Sequence, residues 1–110
     1  MGKFIKGDVV VLPFPFSNLS SAKKRPALVI ADITGDDYIM LQITSKNVKD
    51  SYAIPLLNAD FSSGSLNHDS NIRPNKIFTL DEKLVLYKIG HINNSKLSEC
   101  VIKVCNIIKK

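Results

Sequence analysis

The segment RPALVIAD, Arg25 to Asp32, is apolar at every position from Pro26 to Ala31. A strand of that kind has no face to give to water, so it belongs in the middle of a sheet. Other runs of strand character surround it. GDVVVLPFPF, Gly7 to Phe16, sets Val10, Leu12, Phe14 and Phe16 on one face and Val9, Val11, Pro13 and Pro15 on the other. Proline has no N–H for a ladder, so the end of this strand must lie at a sheet edge or leave the sheet. YIMLQITS, Tyr38 to Ser45, turns Ile39, Leu41 and Ile43 inward. Its other face, Tyr38, Met40, Gln42 and Thr44, becomes polar toward Thr44. Gly35-Asp36-Asp37, between the second and third runs, reads as a hairpin turn.

The second half is more broken. SYAIPLL, Ser51 to Leu57, makes a short strand, and NADFSSGSLNHDS reads as a loop with room for one helical turn. SNIRPNKIFTL, Ser70 to Leu80, is extended, and DEKLVLYKIGHI reads as a helical turn followed by a strand ending at Ile92. Past the capping candidates Asn94 and Ser95, apolar residues at Leu97, Cys100, Val101, Val104, Cys105 and Ile108 form a one-sided stripe at helical spacing. Lys109 and Lys110 at its end suit the helix dipole. The expected architecture is mainly β: a small, strongly bent antiparallel sheet or barrel with a C-terminal helix packed on it. At 110 residues the chain forms one domain, 1–110.

Composition narrows the function. Fifteen Lys and Arg against ten Asp and Glu leave a net charge of +5, which favours a polyanionic partner without requiring one. No apolar run approaches the ~18–20 residues that span a bilayer, and the start shows no signal-peptide pattern, so a cytoplasmic protein without membrane contact is expected. Cys100 and Cys105 would lie ~140° apart on a helix, too divergent to bridge, and read as small buried hydrophobes. His68 and His91 stand alone, so no metal site and no cofactor is expected.

Chemistry is left to polar residues at strand ends. Arg25 stands between the polar loop SNLSSAKK, expected to be exposed and mobile, and a buried strand. Pro26 restricts its backbone to extended geometry. A guanidinium held there can clamp a phosphate, and Lys23 and Lys24 add positive potential; the same three residues also suit a solvated strand end. Thr44 and Ser45, followed by Lys46, can hold a phosphate oxygen or a base edge, or simply make a turn. Arg73 and Asn75 flank Pro74 and project on one face, suited to phosphate and base contact or to a structural role.

The order of KGDVVVLPFPF, KKRPALVIAD, LQITS and IRPNKIFTLDEKLVLYKIGHI resembles the MazF/PemK-like toxins of type II toxin–antitoxin systems. The resemblance runs from about Lys6 to Ile92, followed by a suitable helix. It implies an SH3-like β-barrel with accessory helices, usually homodimeric. The implied activity is metal-independent cleavage of single-stranded RNA at short sequences, neutralised by a cognate antitoxin. On that resemblance Arg25 matches the catalytic arginine and Thr44 the active-site threonine. Ser45 falls at the adjoining RNA-contact position, and Arg73 and Asn75 at positions that share catalytic or RNA-contact work in some members; Lys23, Lys24 and Lys46 are expected to contact RNA through their charge. Asn75 departs from members carrying an acid there, since a carboxamide cannot act as a base. The loop Ser17–Lys24 lacks the histidine of some members, and His68 stands far off in the pattern. The general base is therefore unassigned. The rival readings are a toxin of the same fold that binds a protein, as gyrase-poisoning relatives do through C-terminal helix residues, a catalytically dead regulatory module, and a plain interaction domain.

Overall fold

The computed structural model describes residues 3–14 and 23–110. Along the chain lie β1 (Asp8–Phe14), β2 (Lys23–Asp32), β3 (Asp37–Thr44), β4 (Ile54–Leu56), β5 (Phe61–Gly64), β6 (Ser70–Asp81), β7 (Tyr87–Ile92) and α1 (Asn94–Lys109). The strands form one antiparallel sheet in the order β4-β6-β3-β2-β1-β7-β5. It curls into a half-barrel with β4 and β5 as its edges and α1 packed on it. The expected mainly β, bent antiparallel architecture is the one observed.

Position in that order follows from which faces are apolar. β2 lies in the centre, and both of its faces are covered. Leu28 joins Val9, Leu41, Ile43, Ile54, Leu56, Ile72 and Ile92 in the core inside the curl, which Cys100 and Val104 of α1 complete. Ala27 and Val29 join Val10, Leu12, Tyr38, Met40, Leu80 and Phe4 in a second core on the other face. The expectation that Tyr38 and Met40 face outward therefore fails: both are fully buried. The N-terminal segment folds over them, with the Phe4 N–H donating to the Tyr38 hydroxyl at 2.9 Å and the two rings meeting edge to face. Period two assigns sides of a strand. It cannot say whether a remote segment will cover the second side.

Further differences are local. β5 lies in the segment read as a loop; it is short and polar, and it pairs with β7 through close backbone approach. Gly64 has φ +75°, and a Cβ there would overlap the Ile89 carbonyl. The helix is capped one residue earlier than expected, by the Asn93 side chain accepting from the Lys96 N–H at 2.8 Å. Cys100 is buried as expected, but Cys105 is exposed. The hairpin between β2 and β3 and the one-turn 3₁₀ segment Glu82–Leu84 before β7 match the sequence reading.

Candidate functional site

The site originates in the way the β2–β3 ladder ends. Its last pair is Ala27↔Gln42, next to Pro26, whose nitrogen carries no proton. β2 runs on to Lys23 paired only with β1, while β3 runs on to Thr44 paired with β6 at Asn71. A similar change occurs in β1, where pairing to β7 stops at Val11, before Pro13. The sheet therefore parts at one corner. A cleft of about 350 Å³ opens there.

One wall of the cleft is Lys24, Arg25 and Pro26, and the other is Ile43 and Ser45. Val11 and Ile89 line its depth, Tyr87 stands at the side, and the segment Ser65–His68 closes it with Ser70. The Arg25 guanidinium makes no hydrogen bond or ion pair among the described residues, although the residue is half-buried. Its charge is held at the lip and left open to a ligand. Lys24 reaches over the Tyr87 ring, its Nζ 6.0 Å from the centroid. Tyr87 is 48% exposed, so the part of its ring that Lys24 does not cover is open to a planar group.

Thr44, Lys46 and Arg73 line a second groove at the same end of β3. Thr44 alternates with Ile43 and Ser45 and borders this groove together with Lys46, Asp50 and Arg73. Thr44 is buried, and its Oγ1 accepts from the Lys46 N–H at 3.2 Å, a turn closed by its own side chain. Arg73 and Asn75 do point the same way, and both reach Asp50 Oδ2, at 3.0 and 3.3 Å. Asp50 Oδ1 accepts from the backbone N–H groups of Tyr52 and Ala53. Burial raises the Asp50 carboxyl's affinity for a proton. Bonds from Arg73, Tyr52, Asn75 and Ala53 together outweigh that and hold it below the usual carboxylate range. Arg73 Nε and Asn75 Oδ1 are buried there without a hydrogen-bond partner. Lys23 is exposed beside Lys24 at the start of β2.

Of two further residues bordering these grooves, Asp50 is not picked out from the sequence, and His68 is set apart as remote in the pattern, with a loop that could fold toward the site. Asp50 brings a carboxylate to Asn75, where the sequence shows only a carboxamide. His68 lines the same cleft as Arg25. Neither stands in a local motif; only the path of the loops brings them in. Most of the loop lacking a histidine, Ser17–Ala22, lies outside the described residues.

Gly7-Asp8 has a structural explanation. Asp8 is buried, with Oδ2 accepting from the Ile5 N–H at 3.0 Å and Oδ1 lying 2.9 Å from His91 Nδ1. Lys88 Nζ is 3.8 Å away. Gly7, at φ +96°, leaves room for the His91 ring, whose Cε1 would lie 2.9 Å from a Cβ. The Gly7-Asp8 and Lys88-Ile89-Gly90-His91 segments are thus two halves of one buried contact.

The family model for the PemK-like, MazF-like toxin of type II toxin–antitoxin systems matches residues 5–108. The chain belongs to that family. The toxin is also similar in fold to solved structures at low identity. An endoribonuclease in complex with its cognate antitoxin, from a mycobacterial species, superposes with TM-score 0.74 at 11% identity, covering 99% of this chain and 96% of that one. MazF from Deinococcus radiodurans gives 0.72 at 18% identity, covering 96% of each chain. The Mycobacterium tuberculosis toxin MazF-mt6 gives 0.69 at 17%, covering 93% of this toxin and 96% of its own chain. No curated protein sequence matches the toxin significantly. No helix among the described residues is long and apolar enough to cross a membrane.

Proposed function

We propose that this toxin is a metal-independent endoribonuclease acting on single-stranded RNA, and that it works as a homodimer neutralised by a cognate antitoxin. The observation that carries the reading is Arg25: an unpaired guanidinium at the lip of an open cleft, fixed by a rigid strand and flanked by Lys24, Ser45 and Tyr87. A half-buried guanidinium without a protein partner keeps its donors open to a ligand that meets them. A phosphodiester does so with the right charge. Tyr87 offers an adjacent base a stacking face, the usual way single strands are held.

RNA carries its own nucleophile. The 2′-OH attacks the adjacent phosphorus, the O2′–P bond forms, the P–O5′ bond breaks, and the products are a 2′,3′-cyclic phosphate and a 5′-OH end. Arg25 neutralises the extra charge of the crowded phosphorane, and Lys24 contributes at longer range. Ser45, at the end of β3, offers a hydroxyl to a phosphate oxygen from the opposite wall. Thr44 acts one step back: its turn sets where Ser45 and Lys46 stand. Lys46 and Arg73, along the second groove, hold the strand beyond the cut, and Asn75 meets it only where Asp50 yields. DNA, without the 2′-OH, is inert.

The test is incubation of a long RNA with the purified toxin in excess EDTA, with the cut ends mapped. Discrete cuts leaving 5′-OH termini support the reading. Intact RNA overturns it and favours the protein-binding alternative, for which the exposed Ile102 and Ile108 of α1 are the available surface.

A further inference from the structure

The reaction needs a group that takes the 2′-OH proton, and no carboxylate lines the cleft: Asp69, exposed between the lining residues His68 and Ser70, is not part of its wall. Asp8 is buried and bound to His91 and to the Ile5 N–H. Asp50 has both oxygens engaged by four donors, and its lowered proton affinity makes it a weak base. Asp32 ends β2 seven residues from Arg25, roughly 23 Å along the strand. Arginine itself keeps its proton at any pH near neutral.

We propose that His68 is the catalytic base of this toxin, a proposal that rests on the ribonuclease reading above. His68 lines the same 350 Å³ cleft as Arg25 and Ser45, so the three residues border one space that a phosphodiester can enter. Its side chain is exposed and makes no hydrogen bond or ion pair among the described residues. Its backbone, by contrast, is held. The His68 carbonyl accepts from the Ser70 hydroxyl at 3.0 Å, and two residues earlier the Leu66 N–H donates to Asn58 Oδ1 at 3.0 Å. The imidazole is thus carried by a tethered loop with its ring left free, which a base in a cleft requires.

The step balances without any further reagent. Neutral imidazole takes the 2′-OH proton as O2′ bonds to phosphorus, Arg25 holds the phosphorane charge, and P–O5′ breaks. The departing oxygen takes a proton from water, and the imidazolium returns its own proton to the hydroxide formed. Other charged or titratable groups lining the cleft are Lys24 and Arg25 of β2 and Tyr87 of β7, while the Asp69 carboxylate follows His68 on the same loop; β3 contributes Ile43, with Ser45 just past its end, and β6 contributes Ser70.

The experiment compares wild type, His68→Ala and His68→Gln on one defined RNA in EDTA, at several pH values, with and without added imidazole. The expected result is a fall in kcat of about 100-fold or more in both variants with KM nearly unchanged. The wild-type rate rises with pH along a limb that both variants lose. Free imidazole restores part of the rate to His68→Ala. Cleavage by His68→Ala at the wild-type rate, with the same pH profile, overturns the assignment and leaves the ribonuclease reading standing. So does a change in KM alone. Absence of cleavage by the wild type overturns both.

Discussion

Replacing Arg25 by alanine should separate catalysis from folding more cleanly than any other change in this toxin. Among the described residues the guanidinium gives up no hydrogen bond and no ion pair when removed. A substitution without such partners stays within about 0.5 kcal/mol of stability. For a chain of this size that is a melting shift of about 2–4 °C. In the transition state the same group faces a charge developing on phosphorus in a partly desolvated cleft, where loss of one preorganised donor costs ~100–1000-fold in rate, about 3–4 kcal/mol. Single-turnover cleavage of a defined RNA, read beside thermal unfolding, measures both quantities. Arg25→Lys keeps the charge without the fork of donors and should recover only part of the rate. Arg25→Met keeps the half-buried stem and should be as slow as alanine. Arg73→Ala is the contrast: it breaks the ion pair to Asp50 and removes one of Asp50's four donors, so it should lower the melting temperature as well as activity. Cleavage by Arg25→Ala at the wild-type rate would refute the site. A melting drop of ten degrees would show Arg25 to be a structural residue.

Other consequences follow from particular contacts. Because the Asp50 carboxyl is held below its ordinary 3.8, its contribution to stability is complete above that value and disappears as pH falls through the folded-state value. Asp50→Asn should therefore be less stable than wild type at pH 7 and equal to it in stronger acid, by urea titration at each pH. Gly64→Ala should be far more destabilising than Gly35→Ala. Both have positive φ, costing about 1–2 kcal/mol for alanine, but only at Gly64 does the new Cβ strike backbone; denaturation midpoints give the order. A thiol reagent should modify Cys105 at once and Cys100 only on unfolding. Cys100 is buried, and burial, helped by the nearby Glu99 carboxylate and opposed by Lys96, pushes its thiol up to about 12.

Where the sequence reading reached the structure, the signal was local. Alternation in Val9–Leu12, the doubly apolar run after Pro26, the glycine at Gly35 and the helical stripe from Leu97 each record which side of a short element meets the core. Pro13 marked where a ladder ends, because a missing N–H is a property of the residue alone. Reading failed where the deciding neighbour was distant. Tyr38 looked outward until Phe4 was seen folded onto it, and β5 had no apolar face of its own to announce a strand. Cys105 belonged to the stripe by spacing but lies where neither strand nor loop covers the helix.

The candidate site divides along the same line. The amino-acid sequence alone determined which strands would exist, the central place of β2, and the position of Arg25 at the end of a rigid element beside a proline. Those depend on residue type and short-range sterics. Only the tertiary structure decided that the β2 and β3 ends would part into a cleft, that Tyr87 and His68 would border it, and that Asp50 would sit against Arg73 and Asn75. These are meetings between residues 23 to 62 positions apart. The curl of the sheet and the paths of its loops bring them together, and no local pattern encodes either.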